Sequence, residues 1–268
     1  MHANNRKSLA QNFLAKAHLA ATLVNESSIN LCDTVYEIGP GTGLLTKELA
    51  KRAKKVIAVE KDRKLYLKLM KKFANNHNII LHNADFLEFK IGEPLYKIFA
   101  NVPFNITSAI IRKVLLDVNP PEEAYLIVQK EAAEKFTGAR KTTQFSVLVK
   151  PWFMLKITKL FKRTDFSPVP SVDVVLMHVE KRDICLIPPT DSSIYAMFVK
   201  CGFGAWKKNL KSNFRKVFGH NQWRKLSHDL KFPIHAKPSE LSFRQWLGLF
   251  EFFNKNKSSR FKNLPKLS

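Results

Sequence analysis

Acidic residues, paired cysteines and long apolar runs are what this sequence has least of. No stretch reaches the roughly eighteen consecutive apolar residues that a membrane span needs, and Met1 to Gln11 is polar and basic rather than signal-like, so a soluble cytoplasmic protein is expected. The three cysteines, Cys32, Cys185 and Cys201, have no paired spacing, and none of the eight histidines sits in an H-E-x-x-H pattern; neither a disulfide framework nor a metal site is expected. The shortage of acid is the informative one. Asp+Glu number 22 against Lys+Arg 45, a net +23 that attracts polyanions. From Ile184 to Ser268 sixteen basic residues face four acidic ones. They are interleaved with Trp206, Phe214, Phe218, Trp223 and Trp246 and have no adjacent span or lipidation signal, which favours RNA over an anionic membrane as partner.

With 268 residues and 45% hydrophobic content, the chain is long enough for one large domain and one small one. In the first two thirds, short apolar runs alternate with helical periodicity, the mark of βαβ units and a parallel sheet. Strands are predicted at 34–38, 56–59, 79–82, 96–100 and 124–128, and helices at 44–51, 63–73 and 108–116. Two later β-rich runs, 153–161 and 172–179, flank Ser167-Pro168-Val169-Pro170 and suit an antiparallel pair at the sheet edge. The fold class is thus α/β, doubly wound and mostly parallel. Pro188-Pro189 marks a boundary, giving an expected domain at 1–183 and a basic helical one at 184–268, with helices near 192–201, 206–217 and 239–253 and a loosely ordered basic end from Lys255. There is no internal repeat.

The strongest local signal is Glu37-Ile38-Gly39-Pro40-Gly41-Thr42-Gly43, where a strand hands over to a helix. Gly39 and Gly41 would let a ligand approach the backbone, and the helix N-terminus offers free N–H groups. The ending Gly-Lys-Ser/Thr of a P-loop is absent. Glu60, ending the second strand, stands where a doubly wound nucleoside site places an acid on ribose hydroxyls. Asp85, after the third strand, could accept from an adenine amine with Phe86 flanking the ring. These residues alone leave NAD open, and Glu60 and Asp85 could equally be solvated caps. Asn101-Val102-Pro103-Phe104 points elsewhere. An adenine amine is a poor nucleophile, and an Asn oxygen plus a turn carbonyl beside Pro103 can hold its N–H2 while Phe104 stacks on the base. Alone, those four residues would pass for an ordinary strand-to-helix turn.

Taken in order with Gln11-Asn12-Phe13-Leu14, these motifs closely resemble the rRNA adenine N6-dimethyltransferases over nearly the whole chain. The resemblance implies a Rossmann-like class I methyltransferase sheet, S-adenosyl-L-methionine as cofactor, rRNA as partner and a monomer. It implies Asn12, Leu14, Gly39, Glu60, Asp85 and Asn101 as cofactor contacts, and Phe104 as the platform for a flipped adenine. Segments at 125–133, 150–153, 166–173 and 241–247 look like the erythromycin-resistance branch, which methylates 23S rRNA and confers macrolide-type resistance. The small-subunit (16S) branch is the alternative, and a non-catalytic RNA-binding assembly factor is the alternative of another class. Phe166 is expected as a second wall of the base pocket. The C-terminal aromatics are assigned to packing, and Lys207, Lys208, Lys211, Arg215 and Lys216 to RNA contact.

Overall fold

The apolar runs read as strands are almost unbroken because parallel strands in a doubly wound sheet are covered on both faces. In the computed structural model, which describes residues 12–204 and 209–256, they become β1 (Thr34–Ile38), β2 (Lys55–Glu60), β3 (Ile79–Asn83), β4 (Lys97–Asn101), β5 (Glu123–Gln129), β6 (Phe153–Leu160) and β7 (Val174–Lys181). Gln11, Trp206, Lys207, Lys208 and the basic end from Lys257 lie outside the described residues.

One seven-stranded sheet has the order β3-β2-β1-β4-β5-β7-β6. The first five strands are parallel, and β7 runs antiparallel to β5, with Leu126 opposite Met177. This is the expected doubly wound sheet with its antiparallel edge. The central strands carry the fully buried Val35, Val56, Ile98, Phe99, Leu126 and Ile127. β3, at the edge, exposes Ile80 and reads as a more polar strand. Helices follow the strands at Leu44–Arg52, Arg63–Lys72 and Thr107–Leu116. The second starts where it does because the Asp62 carboxylate accepts from the N–H groups of Lys64 and Leu65, at 2.7 and 3.0 Å.

The chain divides into two compact units, 1–133 with 155–181, and 134–154 with 182–268. A boundary at 183/184 therefore left out one segment of the second unit. The reason is packing: helix Gln144–Val149 contributes the fully buried Val147 to the second core, and its carbonyl accepts the Tyr195 hydroxyl at 2.8 Å. That core is built from aromatics, with Phe198 stacked on Phe214 at 4.6 Å and Trp246 wholly buried. Trp223 and Trp246 give their indole N–H groups to the carbonyls of Ile234 and Pro238, so these rings are packing residues and not base platforms. No helix among the described residues is long and apolar enough to cross a membrane.

Candidate active site

The carboxyl ends of β1, β2 and β4 meet the segment that opens the described chain. Phe13–Leu14 pairs antiparallel with Phe166–Ser167. The Ala15 N–H donates to Asp165 O at 2.9 Å, and Lys16 bridges to the Asp165 carboxylate at 2.8 Å. Residues 12–16 are thus strapped to a strand about 150 positions away. Beneath the strap are two adjoining clefts. One, of about 350 Å³, is lined by Asn12, Phe13, Gly39, Glu60 and the Asn101–Phe104 turn. The other, of about 270 Å³, is lined by Phe13, Leu14, Glu37, Gly39, Pro40, Thr42, Leu44, Leu45 and Asn101.

The glycine-rich loop behaves as its composition requires. Gly39 and Gly41 adopt φ of +65° and +58°, which side-chain-bearing residues rarely do. Gly39 presents an open face, whereas a Cβ on Gly41 would overlap the Phe13 ring. The Gly41 N–H donates to Glu60 Oε2 at 3.1 Å, and the Asp62 N–H to Oε1 at 2.8 Å. Glu60 is 2% exposed, and burial raises its pKa against the lowering effect of those two donors. Glu37, 1% exposed, is pushed up to about 8, chiefly by burial and further by the neighbouring Glu60 carboxylate. Thr46 lies near enough to pull the value down. It is not aligned for a full bond, and Glu37 Oε2 and Thr46 Oγ1 lack hydrogen-bond partners.

The Asn101 amide is oriented by the strap. Its Nδ2 donates to the Asn12 carbonyl at 2.7 Å, and because a carbonyl only accepts, this fixes which end of the amide is nitrogen. Oδ1 is left on the other side. In the next turn, Pro103 O accepts from the Ile106 N–H and the Thr107 hydroxyl, at 3.1 and 3.2 Å. Phe104 is half-buried and lines the larger cleft.

Of the expected site residues, Asn12, Leu14, Gly39, Glu60, Asn101, Pro103 and Phe104 line these clefts, and Gly41 holds Glu60 from the loop. Asp85 and Phe86 line neither. Asp85 accepts the Leu87 N–H at 2.9 Å and pairs with Lys61 at 2.6 Å, and that ammonium holds its carboxyl below the usual range. Phe86 is 4% exposed, with Lys113 Nζ 5.7 Å from its ring centre. The expectation for Phe166 is corrected. It is 2% exposed and packs edge-on against Phe161 at 5.5 Å, because its backbone is the strap's partner and its ring turns into the core. Sequence reasoning missed Phe13 and Glu37. The bare α-carbon of Gly41 was a signal for the first, since a ring needs somewhere to lie. Among the described residues no group of three His, Cys, Asp or Glu could hold a metal ion.

A family model described as ribosomal RNA adenine dimethylase matches residues 2–255. The chain belongs to that family. The ribosomal RNA small subunit methyltransferase A of a Nostoc species is 31% identical to it over 261 residues, covering 91% of this chain and 96% of the relative. The protein of that name from Levilactobacillus brevis is 33% identical over 227 residues, covering 80% and 76%. Among solved structures, the 23S rRNA methyltransferase ErmE aligns with a TM-score of 0.84 at 29% identity, covering 91% of this chain and all of that one. A dimethyladenosine transferase from Plasmodium falciparum, at TM-score 0.70 and 21% identity, shares the fold over 91% and 98%.

This member of the rRNA adenine dimethylase family is therefore an S-adenosylmethionine-dependent rRNA adenine methyltransferase. Its residues fit the cofactor. Two buried carboxylates with raised pKa values, one with an oxygen lacking a partner, would be offset by a ligand that carries sulfonium and ammonium charges. The open face of Gly39 would leave room for its approach.

Proposed function

We propose that this enzyme methylates the N6 amine of an adenine in small-subunit rRNA, giving N6,N6-dimethyladenosine. The supporting observation is the 31% identity to a small-subunit methyltransferase A over 91% of this chain and 96% of that relative. That reverses the order in which the sequence motifs alone ranked the two ribosomal subunits. A second reading, 23S rRNA with macrolide-type resistance, is favoured by the ErmE likeness over the whole of that chain.

The bound cofactor supplies an electrophilic methyl group, and Asn12, Leu14, Gly39, Glu60, Asn101 and the more distant Asp85 are the residues proposed to hold it. The chain's own work is to present the amine. With Nδ2 engaged by Asn12 O, Asn101 Oδ1 accepts one N–H of the adenine amine. Pro103 O is already shared between Ile106 and Thr107, so the second acceptor is the Val102 carbonyl. Two acceptors favour a pyramidal nitrogen whose lone pair faces the donor. Phe104 stacks on the flipped base, and the strap excludes water from above. RNA phosphates are held by basic residues of the second unit, including Lys211, Arg215 and Lys216.

The test is incubation with labelled S-adenosylmethionine and, in parallel, assembling small subunits and protein-free 23S rRNA, with primer extension to find the product. Label at an adenine of the small subunit is expected. Label confined to 23S rRNA would overturn the small-subunit assignment in favour of the second reading.

A further inference from the structure

Lys150 is the half-buried residue that ends helix Gln144–Val149, and nothing in the methyl-transfer chemistry calls for it. Its ammonium lies 5.9 Å from the centre of the Phe243 ring. On another side it approaches Gly138, where an added Cβ would stand 3.5 Å from Nζ. Gly138 opens the loop that carries the exposed Arg140 and Lys141. Arg182 comes in beside it, its Nε donating to Lys150 O at 2.9 Å and its backbone N–H to Trp152 O at 2.8 Å. The guanidinium is thus fixed by one edge. All of these residues belong to the second unit.

What this cluster lacks is an acid. Neither Lys150, Arg182, Arg140 nor Lys141 forms an ion pair with a carboxylate among the described residues, and Lys150 Nζ has no hydrogen-bond acceptor there. Other half-buried lysines are held by acids or carbonyls: Lys97 by Asp33 and Glu123, Lys55 by Glu93, and Lys113 by the carbonyls of Leu87 and Phe89. Burial and the Arg182 charge both lower the Lys150 pKa, the direction expected of a cation kept without a counter-charge. Folding alone gives no reason to place two positive groups together and shelter one of them from water. A ligand with negative charge does.

We infer that Lys150, with Arg182 beside it and the Gly138–Lys141 loop against it, forms a binding site for a backbone phosphate of the RNA substrate. The ring of Phe243 shields one side of the ammonium, and the fixed guanidinium offers its remaining N–H groups to the same oxygens. This site rests on the RNA-methylating reading and adds to it one named anchor distant in sequence from Lys211, Arg215 and Lys216.

The experiment uses the full chain, its K150M and K150R variants, and a fluorescently labelled protein-free small-subunit rRNA transcript, with affinity followed from 0.1 to 1 M salt. Losing one phosphate contact predicts binding about five- to eightfold weaker for K150M at 0.1 M salt, a salt slope smaller by about 0.7–0.9, and convergence with the parent near 1 M. K150R should stay within about twofold of the parent. Cofactor affinity and thermal stability should not fall in either variant. An unchanged slope in K150M, or an equal loss in both variants accompanied by a lower melting temperature, would overturn the phosphate site while leaving the RNA reading intact. If the parent itself shows no salt-dependent binding to the transcript or to assembling small subunits, the broader reading fails with it.

Discussion

Replacing Glu37 by Gln tests the electrostatics of the site directly. Glu37 is 1% exposed and its pKa in the fold is about 8, against 4.5 for an ordinary glutamate. Folding therefore favours the protonated acid. The associated stability is fully present below pH 4.5 and is lost as pH rises through 8, because the unfolded chain ionises first. Between pH 4.5 and 7, at about 1.4 kcal/mol per unit, the cost reaches about 3 kcal/mol, and a neutral amide of the same shape does not incur it. The variant should thus match the parent in urea-unfolding free energy near pH 4.5 and exceed it by up to about 3 kcal/mol at pH 7, less whatever the amide N–H2 loses by lacking an acceptor. S-adenosylmethionine binding supplies the complementary readout. A cationic ligand favours the ionised acid, so from pH 6 to about 7.5, below the range in which the ligand's own α-ammonium titrates, parent affinity should tighten relative to the variant's. A stability difference that does not change between pH 4.5 and 8 would refute the reasoning.

Further outcomes are expected elsewhere in the molecule. Phe104→Ala should cut methylation by roughly 5- to 150-fold, the worth of about 1–3 kcal/mol of base stacking, with calorimetric cofactor affinity kept; a collapse of that affinity would make Phe104 a structural residue. Glu123, at the opposite end of the sheet, has its carboxyl lowered to about 2: burial raises it, but hydrogen bonds from Ser28, Tyr125, His178 and Lys97 prevail. Its contribution is present above pH 4.5 and lost as pH falls toward 2, so Glu123→Gln should cost up to about 3 kcal/mol at pH 7 and little at pH 2, as read by thermal melts across that range. Charge reversal at Lys211, Arg215 and Lys216 should weaken RNA binding and make its salt dependence shallower without lowering the melting temperature; a drop in melting temperature would point to packing instead.

The sheet was legible because its central strands are near-continuous apolar runs. β1 was located to the residue, and the others to within two positions at each end. Helix Ala17–Asn25 was missed, with its weak start at Lys16 and no capping side chain, as was helix His220–Asp229, whose polar face hides its period. Glu37 could be quoted from the motif without a role, because burial and an unmatched oxygen are properties of the fold. Phe166 was misjudged for a related reason. Which way a residue of a strand faces depends on register, and the pairing of residues 166–167 with 13–14 spans far too much sequence to be read locally.

That pairing also bears on when the enzyme can first work. The Asn101 amide is held by Asn12, which is synthesised about 150 residues ahead of the strand that secures its segment, a strand completed only at Ser167. Until Ser167 has been made, the earlier segment lacks its partner strand and the hold on Asn101 is not secured. A nascent chain that stops before this strand carries the glycine-rich loop and the Asn101–Phe104 turn but not the arrangement that joins them, so catalytic competence must wait for a segment made about sixty residues after the last of them.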